Sequence, residues 1–242
     1  MKLPRLTEQR LGWLLCAPAM TAMLLVTAYP ILYACWLSLF RYDLRFPDRR
    51  TFVGADNYIS ALTSGVWWEA LANTLVITIA SVSVELVLGM LFALVMHRAA
   101  VGRRWVRTSI LVPYGIITVV AALIWKFAFV PATGFVNSLA GLEVSWFSHR
   151  WSAFMVIILT EIWKTTPFMS LLLLAGLTLV PDDLLRAARV DGASAWQRFH
   201  LVILPIMKPT IVVALLFRTL DAFRIFDTVF VQTRGAQGTE TV

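Results

Sequence analysis

Residues 181–205 read PDDLLRAARVDGASAWQRFHLVILP and lie between two long apolar stretches of a very hydrophobic chain. The initial proline fits the first turn of a helix, the two aspartates that follow favour the positive end of its dipole, and Asp191 and Gly192 supply a stop. Ser194 can cap a second helix, which we expect to end before Pro205 because proline lacks a backbone N–H. The stretch therefore predicts two short helices, and the first, of about 8 residues or 12 Å, is too short to span a bilayer.

The rest of the chain is dominated by apolar residues. Of its 242 residues, 59% are hydrophobic and only 14% are charged, a composition typical of integral membrane proteins. We therefore predict an all-α polytopic membrane protein in which residues 1–242 form a single transmembrane domain. Five stretches are long and apolar enough to cross a hydrocarbon core of about 30 Å as helices, and they cover about 11–38, 74–96, 109–130, 153–180 and 209–232.

Lys and Arg are unevenly distributed among the segments that connect these spans. The N-terminal tail, residues 97–108 and residues 181–208 together carry eleven, whereas the alternate segments carry six. Because Lys and Arg accumulate in cytoplasmic loops, the pattern predicts that the N-terminus and the 181–208 loop are cytoplasmic. The net charge of +7 then reflects basic loops beside membrane lipid, and no nucleic-acid partner is expected.

The first short helix has features that suit docking onto a partner protein. Arg186 and Arg189 are three residues apart and share one face, while Ala187 and Ala188 allow close approach of another surface. The same arginines could instead meet anionic lipid headgroups, as in an ordinary interfacial loop. The residues alone leave both interpretations open.

The run LLRAARVDGASAWQRFHLVILP (184–205) resembles the EAA motif of permease subunits of binding-protein-dependent ABC importers. The pattern of that family is roughly EAA, three residues, Gly, about nine residues, Ile and then Leu-Pro. Arg186 stands where the family usually has Glu, which reverses the charge at a position that contacts the ATPase subunit. The resemblance implies that the residues in contact with the ATPase are Arg186, Ala187, Ala188, Arg189, Asp191, Gly192, Ala193, Phe199 and Pro205.

Other stretches are similar to the sugar-transporting, MalF-like branch of that family, namely FVGADNY (52–58), ALANTLVIT (70–78) and FDTVFVQTRGAQGTET (226–241). EIWKTTPFMSLLLLAGL (161–177) with LFRTLDAFRIFD (216–227) resembles permeases of mycobacterial trehalose importers. This resemblance implies the type I importer permease fold and a disaccharide substrate such as trehalose. The family usually has a further span, so a sixth span after residue 242 is expected.

The same resemblance implies several partners. They are a second homologous permease, two copies of a cytoplasmic ATPase and an extracytoplasmic sugar-binding lipoprotein. The sequence contains no G-x-x-x-x-G-K-[ST] loop, so this chain is expected to have no enzyme activity of its own and to bind no cofactor. ATP and Mg²⁺ would bind to the partner ATPase.

Polar side chains within the predicted spans are costly in lipid, and each is a candidate functional residue. In the fourth and fifth spans they could line a sugar pathway. Sugar hydroxyls would hydrogen-bond to carboxylates and to a guanidinium, while a sugar ring would stack on an aromatic side chain. The candidate pathway residues are Trp163, Lys164, Asp221, Arg224 and Asp227.

Charge pairing that only holds the helix bundle together is the alternative. Glu161 and Lys164 are three residues apart and could pair on one helix, and Arg218 could pair with neighbouring acids. Glu85 and Lys126 are isolated in sequence. We expect Glu85 to be a buried, hydrogen-bonded contact and Lys126 to reach the external interface.

Two other classes of membrane protein stay open on the residues alone. A stand-alone secondary transporter would use the intramembrane acids to carry protons, and a polytopic membrane transferase would need an acid–base or metal cluster at one membrane face. The Cys and His residues have no spacing typical of a metal site, and no metal is expected. Neither class explains the spacing of Ala-Ala, Asp-Gly and Leu-Pro, which favours the ATP-driven permease.

Overall fold

The computed structural model describes residues 7–42, 45–46, 50–98, 102–131, 133–141 and 144–241. These residues are mostly helical. The helices are α1 (Glu8–Leu37), α2 (Asp56–Thr63), α3 (Gly65–Arg98), α4 (Arg103–Leu111), α5 (Thr118–Ala128), α6 (Phe135–Ala140), α7 (Arg150–Leu177), α8 (Asp182–Val190), α9 (Ala195–Arg198), α10 (Leu204–Ala222) and α11 (Asp227–Gln232). Shorter 3₁₀ turns cover Val112–Gly115, Trp146–Ser148 and Ala236–Gly238, and a π-helical turn covers Phe199–Ile203.

The chain forms two compact units, residues 1–65 and residues 66–242. The first contains the long apolar helix α1, a short antiparallel hairpin of β1 (Phe40–Arg41) and β2 (Thr51–Phe52), and helix α2. In the hairpin Phe40 pairs with Phe52, and their rings meet edge to face with centroids 5.3 Å apart. The second unit contains all the candidate functional residues.

Four helical stretches of the described residues are long and apolar enough to cross a membrane: Gln9–Leu37, Gly65–Arg98, Arg150–Leu177 and Ala195–Ala222. The first three overlap the predicted spans 11–38, 74–96 and 153–180. The other two predicted spans have different boundaries from those expected, and both differences bear on the functional site.

The predicted span 109–130 is long and apolar enough to cross a membrane, but it is a bent pair of helices rather than one continuous helix. The segments Arg104–Gly115 and Thr118–Ala128 meet at a bend of 92°. Pro113 lies in the 3₁₀ turn at the end of α4, and Ile116 and Ile117 then take extended backbone conformations. Pro113 lacks the N–H that would continue the helical hydrogen bonds, and the extended residues that follow Gly115 separate the two helical segments.

The predicted span 209–232 is wrong at both ends, because helix runs from Ala195 to Ala222. Pro205 does not end the second short helix. In the π turn before it, the Leu204 N–H donates to the Phe199 carbonyl five residues back instead of four. Helix α10 then begins at Leu204, and Pro205 lies in its first turn, where proline is tolerated. After Ala222 the helix stops, and α11 is a separate helix.

The core of the second unit lies between α3, α7 and α10, where Met96, Leu173 and Met207 are fully buried. Two glycines set the helix separations. A Cβ atom on Gly89 of α3 would come within 2.7 Å of Met169 Cγ on α7, and one on Gly176 of α7 would come within 2.7 Å of Thr210 on α10. Small residues of this kind allow apolar helices to pack closely in a membrane.

Candidate functional site

The turn after α8 is a Schellman motif formed by the residues that the sequence singled out. Gly192 has a φ of +79°, which strains any residue with a side chain. The Ala193 N–H donates to the Ala188 carbonyl at 2.9 Å, and the Gly192 N–H donates to the Arg189 carbonyl at 3.1 Å. These two bonds satisfy carbonyls that a helix end otherwise leaves without partners. The predicted stop at Asp191 and Gly192 is confirmed.

A capping box begins the next helix immediately after this turn. The Gln197 N–H donates to Ser194 Oγ at 3.2 Å, and the Ser194 N–H donates to Gln197 Oε1 at 2.7 Å. The predicted cap at Ser194 is therefore confirmed. Arg198 also donates to the Ala193 carbonyl. The hydrogen bonds thus fix α8 relative to α9, and α9 continues through the π turn into α10.

Two apolar side chains attach α8 and the segment after α9 to the hydrophobic core of the second unit. Leu185 and Phe199 pack against the core cluster, whereas Val190 is 88% exposed. Phe199 therefore faces its own bundle, although the sequence assigned it to contact with a partner. Of the nine residues predicted to contact a partner, Arg186, Ala187, Arg189, Asp191, Gly192 and Pro205 are exposed, and Ala188, Ala193 and Phe199 are half-buried.

A second candidate site is a cavity of about 200 Å³ between α7, α10 and α11. The structure brings together four of the five predicted pathway residues at this cavity. Lys164 is half-buried, while Asp221, Arg224 and Asp227 are exposed within the chain. The lining residues are Thr118, Glu161, Lys164, Thr165, Asp221, Arg224, Ile225, Phe226, Asp227 and Thr228.

Trp163, the fifth predicted pathway residue, lies outside this charged cavity. Its ring centroid is 6.0 Å from that of Trp125, and both residues line a separate, mainly apolar cavity of about 430 Å³. Trp163 and Lys164 are adjacent on α7, so the helical rotation of about 100° per residue turns their side chains to different surroundings. The structure therefore separates Trp163 from the four charged candidate residues.

Other aromatic rings lie beside the charged residues. Tyr114 and Phe168 stack with centroids 5.5 Å apart, and together with Asp221 and Arg224 they line an adjoining cavity of about 360 Å³. Tyr114 was not predicted as a site residue, because residues 109–130 were expected to form one continuous span. The neighbouring Pro113, which breaks that span, was the signal that could have revealed it.

Arg218 is the centre of a buried ion-pair cluster. Its Nε and Nη2 donate to the two carboxylate oxygens of Glu85 at 2.5 and 3.0 Å. Nη2 also donates to Glu161 Oε2 at 3.2 Å, and Nη1 donates to Asp221 Oδ2 at 3.0 Å. Of the two charge pairings that the sequence left open, the structure shows Arg218 with neighbouring acids, and Glu161 pairs with Arg218 rather than with Lys164. Glu85, isolated in sequence, is a buried hydrogen-bonded contact as expected, and its partner is 133 residues away.

Lys126, which we expect to reach the external interface, makes a hydrogen bond within the chain. Its Nζ donates to the Val231 carbonyl at 2.8 Å, which ties α5 to α11. Nearby, Gln232 Nε2 donates to Thr160 Oγ1 at 2.8 Å and so ties α11 to α7. These bonds hold the short helix α11 in place on one side of the charged cavity. Among the described residues, no group of three or more His, Cys, Asp or Glu side chains could hold a metal ion.

A family model described as "Binding-protein-dependent transport system inner membrane component" matches residues 85–238, which include both candidate sites. The chain belongs to this family. SugA, the trehalose transport system permease of Mycobacterium tuberculosis (strain H37Rv), is 55% identical over 98% of this chain and 78% of its own length. MalF, the trehalose/maltose transport system permease of Thermococcus litoralis, is 39% identical over 97% of this chain and 80% of its own.

Solved structures support the same fold for this inner membrane component. The crystal structure of a bacterial alginate ABC transporter, in complex with an alginate pentasaccharide-bound periplasmic protein, matches with a TM-score of 0.77 and 24% identity. The match covers 94% of this chain and 79% of that one. The predicted all-α permease fold is confirmed, and the chain is a multi-pass membrane subunit of a binding-protein-dependent ABC transporter. This membership argues against the transferase and the stand-alone secondary transporter.

Proposed function

We propose that this permease subunit imports a disaccharide, trehalose or a close relative, across the cytoplasmic membrane. Two of its relatives are permeases of trehalose or trehalose/maltose transport systems, and the first is 55% identical over nearly the whole chain. The charged cavity and the neighbouring rings of Tyr114 and Phe168 suit a neutral sugar, which offers many hydroxyls and apolar ring faces.

Coupling to ATP hydrolysis is the second part of the proposal. Residues 181–205 face the cytoplasm, as does the N-terminus, and α8 is the helix that docks into a cytoplasmic ATPase. The observation that carries this assignment is the geometry of α8, an exposed helix whose end is fixed by the Schellman turn at Gly192 and whose neighbour continues into α10. A force on α8 would therefore reach a membrane-spanning helix through a short, hydrogen-bonded connection.

The complete transporter would contain this chain, a second homologous permease, two ATPase copies and an extracytoplasmic sugar-binding lipoprotein. ATP and Mg²⁺ would bind to the ATPase copies, and this chain would bind no cofactor. Closure of the ATPase pair would move α8 and, with it, α10. Asp221, the α10 residue in the cavity lining, would then change its access from one side of the membrane to the other.

Within the cavity, Lys164, Asp221, Arg224 and Asp227 are the proposed contacts of the sugar. Carboxylates accept hydrogen bonds from sugar hydroxyls, and the lysine and arginine donate to hydroxyl and ring oxygens. Both signs of charge occur in the lining, so a neutral polar substrate can find donors and acceptors at once. A pathway of this kind needs many weak contacts, because a tightly bound sugar would not be released.

The test is uptake into proteoliposomes that contain the assembled transporter and saturating loaded binding protein. We expect uptake of labelled trehalose that requires ATP and continues when a proton uncoupler is added at constant ATP. A panel of disaccharides presented in the same way identifies the preferred substrate. Uptake that persists without ATP, or that stops with the uncoupler, would refute the ABC importer mechanism.

The pathway is tested by a matched pair of substitutions on neighbouring helices. Asp221→Asn removes a charged acceptor from the cavity and should lower sugar uptake per ATP hydrolysed by about tenfold. Trp163→Phe, outside the charged cavity, should leave this ratio within about twofold of the wild-type value. Equal effects of the two substitutions would contradict the assignment of the pathway.

A further inference from the structure

The cluster around Arg218 contains two kinds of carboxylate. Glu85 on α3 is completely buried and does not line the charged cavity, whereas Glu161 and Asp221 both line it. Arg218 itself is 1% exposed. Its guanidinium therefore connects a buried carboxylate behind the cavity to two carboxylates at the cavity wall.

The hydrogen bonds divide the guanidinium between these two sides. Glu85 takes Nε and one Nη2 bond in a two-pronged arrangement, which fixes the plane of the guanidinium. The remaining donors of that plane reach Glu161 at 3.2 Å and Asp221 at 3.0 Å. The orientation of both cavity carboxylates thus depends on a residue that does not itself reach the cavity.

Glu161 is also held from its other side. Thr228 on α11 donates to Glu161 Oε1 at 2.6 Å, so both oxygens of this carboxylate have a fixed donor. Each carboxylate oxygen can accept a further hydrogen bond, and the side chain of Asp221 is 64% exposed. Both groups therefore keep free acceptor capacity that a polar ligand in the cavity can use.

We propose that Glu85 and Arg218 are a positioning pair, which holds the acceptor groups of Glu161 and Asp221 in the geometry that a sugar in the cavity requires. The inference rests on the proposed function, because it takes the cavity to be the sugar pathway. Neither Glu85 nor Arg218 needs to contact the sugar. Their role is to hold the carboxylates of Glu161 on α7 and Asp221 on α10 in fixed orientations towards the cavity.

A structural role alone is the alternative, since the pair also connects α3 to α10. The two roles differ in what they affect. If the pair only holds helices together, its loss lowers the amount of active transporter, and sugar uptake falls together with ATP hydrolysis. If the pair positions acceptors, each transport cycle becomes less productive, and sugar uptake falls more than ATP hydrolysis does.

Glu85→Gln is the informative substitution. Glutamine has almost the same shape and still accepts one hydrogen bond from Arg218, and the guanidinium keeps a buried counter-charge in Glu161, so the fold should survive. Without the charged two-pronged contact, Arg218 is free to move towards the cavity carboxylates and occupy their acceptor sites. We expect the sugar transported per ATP hydrolysed to fall by about tenfold, with assembly of the transporter near normal.

Arg218→Lys is the second variant, because lysine keeps the charge but cannot form the planar two-pronged contact. It should lower the same ratio. The matched control is Glu69→Gln, which removes a carboxylate from the same helix as Glu85, where it pairs with Arg150 at 2.8 Å and lies outside the cavity. This control should leave the ratio unchanged.

The measurements are sugar uptake and ATP hydrolysis by the reconstituted transporter with saturating loaded binding protein, together with its yield and thermal unfolding temperature. A ratio that falls for Glu85→Gln and Arg218→Lys but not for Glu69→Gln supports the positioning role. Losses of uptake that match the losses of ATP hydrolysis and yield would overturn it.

Asp221→Asn separates this inference from the proposed pathway. If Asp221→Asn lowers the uptake per ATP and the Glu85 and Arg218 variants do not, the positioning role is wrong and the pathway stands. If Asp221→Asn has no effect on the ratio, the pathway assignment fails, and the positioning role fails with it.

Discussion

Replacement of Gly192 by alanine should uncouple the transporter without unfolding its membrane domain. Gly192 has a φ of +79°, and a Cβ atom added there would meet nothing within 4 Å, so the cost comes from the backbone alone. An alanine in the left-handed region costs about 1–2 kcal/mol. Because about 1.4 kcal/mol is a factor of ten in an equilibrium, the Schellman turn should be populated about 5- to 30-fold less relative to its alternatives. The residue lies in an exposed loop, so the packing of α3, α7 and α10 is unaffected.

A matched control exists at the end of another helix of the same unit. Gly141, which follows α6, has a φ of +62°, and a Cβ atom added there would also meet nothing within 4 Å, so Gly141→Ala imposes the same local strain. We expect Gly192→Ala to lower sugar uptake and co-purification of the ATPase by about fivefold or more, and Gly141→Ala to change neither. Normal uptake by Gly192→Ala, or equal losses in both variants, would refute the claim that the fixed turn transmits the coupling.

Two further predictions concern Arg186 on α8 and Asn73 on α3. Arg186→Glu restores the residue that the family usually has, and because Arg186 is exposed, the fold should be unchanged. If the ATPase surface has adapted to arginine, the new glutamate will meet negative charges, and ATPase binding should weaken by about tenfold or more in a pull-down at low salt. Unchanged binding would place Arg186 outside the contact. Asn73→Leu removes the donor to the carbonyls of Gly238 and Glu240 at 2.9 and 2.7 Å, and each such hydrogen bond contributes about 0.5–1.5 kcal/mol to stability. The thermal unfolding temperature of the purified protein should therefore fall while ATPase binding is retained, and an unchanged temperature would show that these bonds contribute little to stability.

The local chemistry of residues 181–205 was predictable because its determinants are neighbours in the chain. Gly192 can take the positive φ that ends a helix, and Ser194 lies three residues before Gln197, which is the spacing of a capping box. The error came at Pro205, where the rule that proline ends a helix failed. The π turn before it lets the helix change register, and this depends on packing against the bundle rather than on the proline itself.

The candidate membrane site was only partly predictable. The spacing of three residues between Asp221, Arg224 and Asp227 correctly indicated a shared region, which the structure places at one cavity with Lys164. The sequence could not show that α10 stops at Ala222, and this break lets the end of α10, the segment after it and the start of α11 line the same cavity. Broken helices are tolerated at membrane depth only where neighbouring groups satisfy the freed backbone, as Thr241 Oγ1 does for the Ile225 carbonyl.

The sequence by itself determined that the chain is a helical membrane protein, where the two short helices on either side of Gly192 lie and how the chain turns between them. All of these follow from hydropathy and from hydrogen bonds between residues a few positions apart. Only the tertiary structure decided which buried charges meet. Glu85 and Arg218 are 133 residues apart, and in lipid each must find a partner, but no local pattern states which of the available charges is within reach. The packing of α3 against α7 and α10 makes that choice, and it thereby decides which carboxylates face the cavity.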